Sequence, residues 1–104
     1  MLVSKNISRN LTFESFREFQ LRFFEKERIR LRSIFKSGGC VDLKFRCGDY
    51  CIKGQFTTSK GITYHFDSGD VRVLGYLRLV LKTDDDLTYS CGVNRHELLG
   101  FLSQ

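Results

Sequence analysis

Apolar residues recur along the first third of the chain with the spacing of a helix. At 100° per residue, Phe13, Phe16, Phe19, Phe23, Phe24, Leu31, Ile34 and Phe35 fall within an arc of about 160°, with Glu14, Glu18, Arg22, Glu25, Arg32 and Lys36 opposite. Thr12 is suited to cap the first turn, its hydroxyl accepting from an orphan N–H, and Glu14 complements the helix dipole. The "SGG" at 37 to 39 supplies a glycine for a left-handed cap at the other end. The pattern predicts one amphipathic helix over 13–36, preceded by a short N-terminal arm, 1–12.

Beyond the glycines the period changes to two. Val41, Leu43, Phe45 and Cys47 alternate with Asp42, Lys44 and Arg46, and Gly48-Asp49 reads as a two-residue turn. Pairing across that turn sets Cys47 beside Tyr50, Phe45 beside Ile52, Leu43 beside Gly54 and Val41 beside Phe56, all on one face. A three-residue loop would mix the faces, so the apolar pattern selects the first register. Ile62, Tyr64 and Phe66 alternate as a third strand. Residues 71–82 read as the most apolar strand, with Val71, Val73, Leu77, Leu79 and Leu81 on one face. Leu74, Tyr76 and Val80 then stand among Arg72, Arg78 and Lys82 on the other, and Gly75 marks a bulge. Leu87, Tyr89, Cys91 and Val93 make a fifth strand. Asn94 caps a closing helix, with Glu97 three residues on and Leu98, Leu99, Phe101 and Leu102 as its buried side. The prediction is a single α+β domain over 13–104 in the order α-β-β-β-β-β-α, its helices packed on one face of an antiparallel sheet.

Length and composition agree with one ordered domain: 104 residues suffice for a single core, and ten phenylalanines with no proline are foreign to disorder. No apolar run approaches the roughly 18–20 residues that cross a bilayer, and the start lacks the apolar stretch of a secretory signal. An intracellular, cytoplasmic location, reduced cysteines and no membrane partner are expected.

Four cysteines invite a disulfide or a metal site. In the predicted register, however, Cys47 faces the core and Cys51 the opposite side, while Cys40 lies about 20 Å back along the strand from Arg46. Cys47 and Cys91 read as small core residues, Cys40 and Cys51 as surface thiols, and neither zinc nor another cofactor is expected. The carboxylates Asp84, Asp85 and Asp86 follow one another in a tight turn, where they rarely converge on one cation. His65 has no recognisable nucleophile beside it, and His96 is explained by its place in a helix cap. The chain reads as a non-enzyme.

Charge is the remaining signal. Of the net +5, residues 1–60 carry thirteen Lys/Arg against six Asp/Glu, and residues 61–104 four against six. Arg28, Arg30, Arg32 and Lys36 close the long helix, and Lys44, Arg46 and Lys53 share the hairpin's outer face, Lys44 opposite Lys53. With Arg72, Tyr76 and Arg78 on the same side of the sheet, they form a basic surface with an aromatic among its charges. Such a surface suits RNA or a single-stranded nucleic acid. The bland alternative for the helix is a solvated face of intrahelical pairs such as Glu18 with Arg22. A second functional class comes from apolar excess: Leu21 and Ile29 outside the helix's core arc, and Leu74, Tyr76 and Val80 on the outer sheet face. These suit an inhibitor or adaptor that docks on an acidic protein surface, or a homodimer.

Overall fold

The computed structural model describes residues 12–104; residues 1–11, most of the expected arm, lie outside the described residues. The architecture is α+β, as predicted. Helix α1 (residues 16–37) is followed by β1 (Val41–Gly48), β2 (Cys51–Thr57), β3 (Thr63–Asp67), a single helical turn α2 (Val71–Leu74), β4 (Arg78–Thr83), β5 (Thr88–Gly92) and α3 (Arg95–Leu102). The strands form an antiparallel meander in the order β1-β2-β3-β4-β5.

Helix α1 starts three residues later than Thr12 suggests. Ser15 is the cap: its Oγ accepts from the Glu18 N–H at 3.1 Å, and the Glu18 carboxylate reaches back to the Glu14 N–H at 3.0 Å. That S-x-x-E spacing is a capping box, a stronger signal than a lone threonine. Between Phe16–Phe19 and Glu25–Ser37 the helix widens to a π-helical segment, Gln20–Phe24, in which the Glu25 N–H bonds the Gln20 carbonyl. The extra residue per turn lets Phe19, Phe23 and Phe24 all point into the core. At the other end Gly39 takes φ 85, and the Gly39 and Cys40 N–H groups donate to Lys36 and Phe35 at 3.0 and 2.9 Å. This Schellman cap folds Cys40 inward, so Cys40 is buried rather than a surface thiol.

The first hairpin keeps its predicted faces and loses its predicted turn. Cys47 pairs with Ile52, Phe45 with Gly54 and Gly48 with Cys51, a shift of two residues that preserves parity. The turn residues are Asp49 and Tyr50, at φ 48 and 59. A left-handed tyrosine is costly on local grounds, and tertiary contact overrides that cost. Phe16 and Phe19 pack on the Tyr50 ring at 5.5 Å each, and the Arg72 guanidinium lies 3.6 Å over its face. The shift also corrects Cys51, which is buried opposite side-chain-free Gly48 with its thiol donating to the Gly48 carbonyl. Lys44 stands across from Gln55, and it is Arg46 that faces Lys53. Between Val41 and Lys44 the register slips at a bulge, Asp42 having φ 55, so Val41 leaves the core face and is exposed.

Residues 71–82 are not one strand. Asp70 caps a helical turn by accepting from the Arg72 N–H at 2.9 Å, and Gly75 at φ 74 ends it. The turn upsets the alternation predicted for this stretch: Val73 and Leu77 are exposed, and Tyr76 is buried instead of lying on the outer face. From Arg78 onward the alternation is regular, with Leu79 and Leu81 inside and Val80 outside. Asn94 caps α3 as expected, accepting from the Glu97 N–H at 2.8 Å.

The core lies between α1 and α3 on one side and the sheet on the other. Phe35 stacks on Phe56 at 4.4 Å and meets Phe45 and Phe66 at 6.3 and 5.6 Å, while Phe101 of α3 packs on Tyr64 at 5.4 Å. Gly54 sits at the tightest point of the sheet: a Cβ there would stand 2.0 Å from the Lys44 carbonyl oxygen and 2.5 Å from the Phe66 ring. No described helix is long and apolar enough to cross a membrane.

Candidate functional site

Because α1 packs on one face of the sheet through Leu31, Ile34 and Phe35, the other face is left open among the described residues. The register lays its side chains out in rows. One row runs Lys44, Gln55, His65, Lys82, Thr88; the next runs Arg46, Lys53, Asp67, Val80, Ser90, with Arg78 one step beyond Val80. Five cations share this face with one carboxylate in the rows. At about 4.8 Å per strand, Lys44 and Lys82 stand roughly 14 Å apart. Arg46 and Lys53 oppose each other directly, an unfavourable like-charge pair. Asp67, 4.0 Å beyond Lys53, relieves part of it. At the rim, the β4–β5 turn returns two carboxylates: His65 Nε2 is 3.0 Å from Asp84 and Lys82 is 3.2 Å from Asp86. Lys44 and Arg46 are exposed and have no ion pair among the described residues.

The sheet separates these side chains from the basic end of α1, so the expected composite of helix end and hairpin does not form one surface. On the helix, Arg22 pairs with Glu18 at 3.3 Å and Arg28 with Glu25 at 2.8 Å. Arg30 is structural. It grips both oxygens of Glu27 and donates to the Val93 carbonyl at 2.7 Å, tying α1 to the end of β5. Burial is the largest influence on this guanidinium and works to lower its pKa, but the hydrogen bonds and charge of Glu27 outweigh it and the net shift is upward. Tyr76 belongs to the same cluster and leaves the expected surface. Its ring lies edge-on to Phe23 at 5.1 Å and its hydroxyl donates to Glu27 at 2.8 Å. Burial, then the charge of Glu27, pushes the Tyr76 hydroxyl well above the ordinary tyrosine pKa. Arg32 and Lys36 remain exposed on the solvent side of α1. Arg72 is taken up by Asp70 at 2.8 Å and by Tyr50, and Arg78 by the Ser90 hydroxyl and carbonyl at 2.7 and 3.0 Å.

With Tyr76 inside, the open face carries no aromatic side chain in its rows. The chemistry it offers is charge and hydrogen bonding, without stacking. The cysteines add no nucleophile: burial is the leading cause that raises all four thiols, Cys40 and Cys47 to about 11. Thiols so placed are protonated at neutral pH. All four are free, and among the described residues no three His, Cys, Asp or Glu side chains gather as a metal site. A shallow depression of about 350 Å³ beside β5 is lined by Arg78, Ser90, His96 and Glu97, among which Arg78 is engaged by Ser90 and Glu97 by Asn94. No family model, curated protein or solved structure matches this chain.

Proposed function

We propose that this protein is a non-enzymatic module that binds nucleic acid, RNA or a single strand, by its phosphates across the open face of the sheet. The observation that carries the reading is the placement of Lys44, Arg46, Lys53, Arg78 and Lys82 on one face of β1, β2 and β4, two of them unpaired among the described residues and two set against each other. A bound anion converts the Arg46–Lys53 opposition from a cost into a contact. The absence of aromatic side chains from these rows removes base stacking, so affinity is electrostatic and indifferent to base sequence.

The test is a fluorescence titration of a labelled single-stranded RNA, and of a duplex of the same length, over a range of salt concentrations. Three to five phosphate contacts on a single strand give a slope of log K against log salt of about −2 to −4. A and U homopolymers bind alike. A slope near zero, or a strong preference for one base, rejects phosphate binding by this face.

A further inference from the structure

The two edges of the sheet differ in what their backbones meet. At β5 the outward Ser90 carbonyl is taken by Arg78 at 3.0 Å. At β1, among the described residues, no side chain meets an outward backbone group. Ile52, which faces Cys47, spends its N–H on the Ser68 hydroxyl at 2.9 Å and its carbonyl on the Ser68 N–H at 3.0 Å. Cys47 therefore turns its own N–H and C=O away from β2, and Phe45, one period earlier, does the same. These four groups point along a free edge and meet no partner among the described residues.

The side chains along that edge specify what could pair there. On the open face Lys44 and Arg46 are exposed, and on the other face Leu43, Phe45 and Cys47 are half-buried. A second copy of β1 is a poor occupant: laid antiparallel about Phe45 it sets Lys44 against Arg46 of the other copy, like charges directly opposed. The bulge before Lys44 further confines pairing to the stretch up to Gly48. We propose that the β1 edge takes up an extended acidic peptide as a sixth strand. Its acidic side chains lie beside Lys44 and Arg46, and its apolar ones lie beside Phe45 and Cys47. The proposal stands apart from nucleic-acid binding, because outward backbone groups and not phosphate contacts carry it.

The probe is a peptide of alternating Glu and Val, six residues long and blocked at both ends, with a Lys-for-Glu peptide as control. Amide hydrogen exchange of the full chain is followed by NMR. The Phe45 and Cys47 amides exchange rapidly in the free protein and slow at least about tenfold at saturating Glu peptide, but not with the Lys peptide. Lys44→Glu with Arg46→Glu weakens Glu-peptide binding about tenfold or more. Cys47→Pro removes one outward donor without touching a ladder bond, and abolishes the protection of Phe45. Amides that are already protected in the free protein, that ignore saturating peptide, or that are slowed equally by an oligonucleotide overturn the proposal, whether or not Cys47→Pro folds.

Discussion

Arg28 and Arg30 on α1, and Lys44 and Arg46 on β1, are basic residues at similar density in one half of the chain, yet they stand in opposite situations. Each helix arginine has a glutamate three residues back on the same face, at 2.8 and 2.7 Å. A helix makes such pairing easy, because residues three and four apart are neighbours. On β1 the neighbours are set by pairing across strands, and Arg46 meets Lys53 instead of an acid. Charge that the fold neutralises internally holds the molecule together, and charge that it leaves unneutralised is available to a partner. Composition alone weights the two equally.

The sharpest way to break this comparison is at Glu27, which holds both Arg30 and Tyr76. Glu27→Ala leaves the part-exposed Arg30 guanidinium with the Val93 carbonyl alone and the buried Tyr76 hydroxyl without its acceptor, and destabilises the fold by about 2–3 kcal/mol, less than the loss of a fully buried pair. For a domain of this size each kcal/mol lowers Tm by about 4–8 °C, so differential scanning calorimetry detects the loss easily. If Tm holds and oligonucleotide affinity falls instead, the helix charges are functional and the division between the two groups fails.

A smaller effect is expected at Tyr76→Phe, about 1–2 kcal/mol, since Glu27 keeps Arg30 as a partner. The pH dependence sharpens it. The folded-state pKa of Tyr76 is raised, so the stabilisation is whole below the unfolded value of about 10 and is lost as pH rises through the higher folded value. Urea melts of wild type and Tyr76→Phe therefore differ by a constant amount at neutral pH and converge in alkali. A difference that grows with pH contradicts a neutral, hydrogen-bonded Tyr76.

The smallest stability effect belongs to the open face. Arg46→Glu turns the opposition with Lys53 into an attraction, and stability should stay unchanged or rise by less than about 1 kcal/mol. A loss of more than about 1 kcal/mol in the same urea melts shows that Arg46 has a structural partner after all.

Much of the fold is legible along the chain because the burial pattern and the chain period agree. The phenylalanines of α1, the alternation of Tyr64 and Phe66 on β3, and the Asn94 cap are local signals, and they appear where they point. The failures occur where a distant contact outweighs a local preference. Tyr50 accepts a left-handed turn because Phe16, Phe19 and Arg72 hold its ring, and none of them is near in sequence. Tyr76 moves from the surface to the core because a single helical turn, announced only by Asp70 and Gly75, resets the alternation before β4. That one shift removes the aromatic from the candidate site. It also exposes what was hidden in the sequence, the cluster of Glu27, Arg30 and Tyr76 drawn from residues 49 positions apart. Alternation along each strand already points Lys53 and Lys82 to the outer side of the sheet, and the meander adds which strands lie between them.

The most direct test of an open-face site compares two charge-reversed variants in the same RNA titration at low salt. One carries Lys44→Glu and Arg46→Glu on the open face; the other carries Arg32→Glu and Lys36→Glu on the solvent side of α1. Both change the net charge by the same amount, so any general field effect is equal. The open-face variant should lose about tenfold or more in affinity beyond the helix variant, with a salt slope reduced by about one to two. Equal losses, or a larger loss from the helix variant, would contradict binding at the open face.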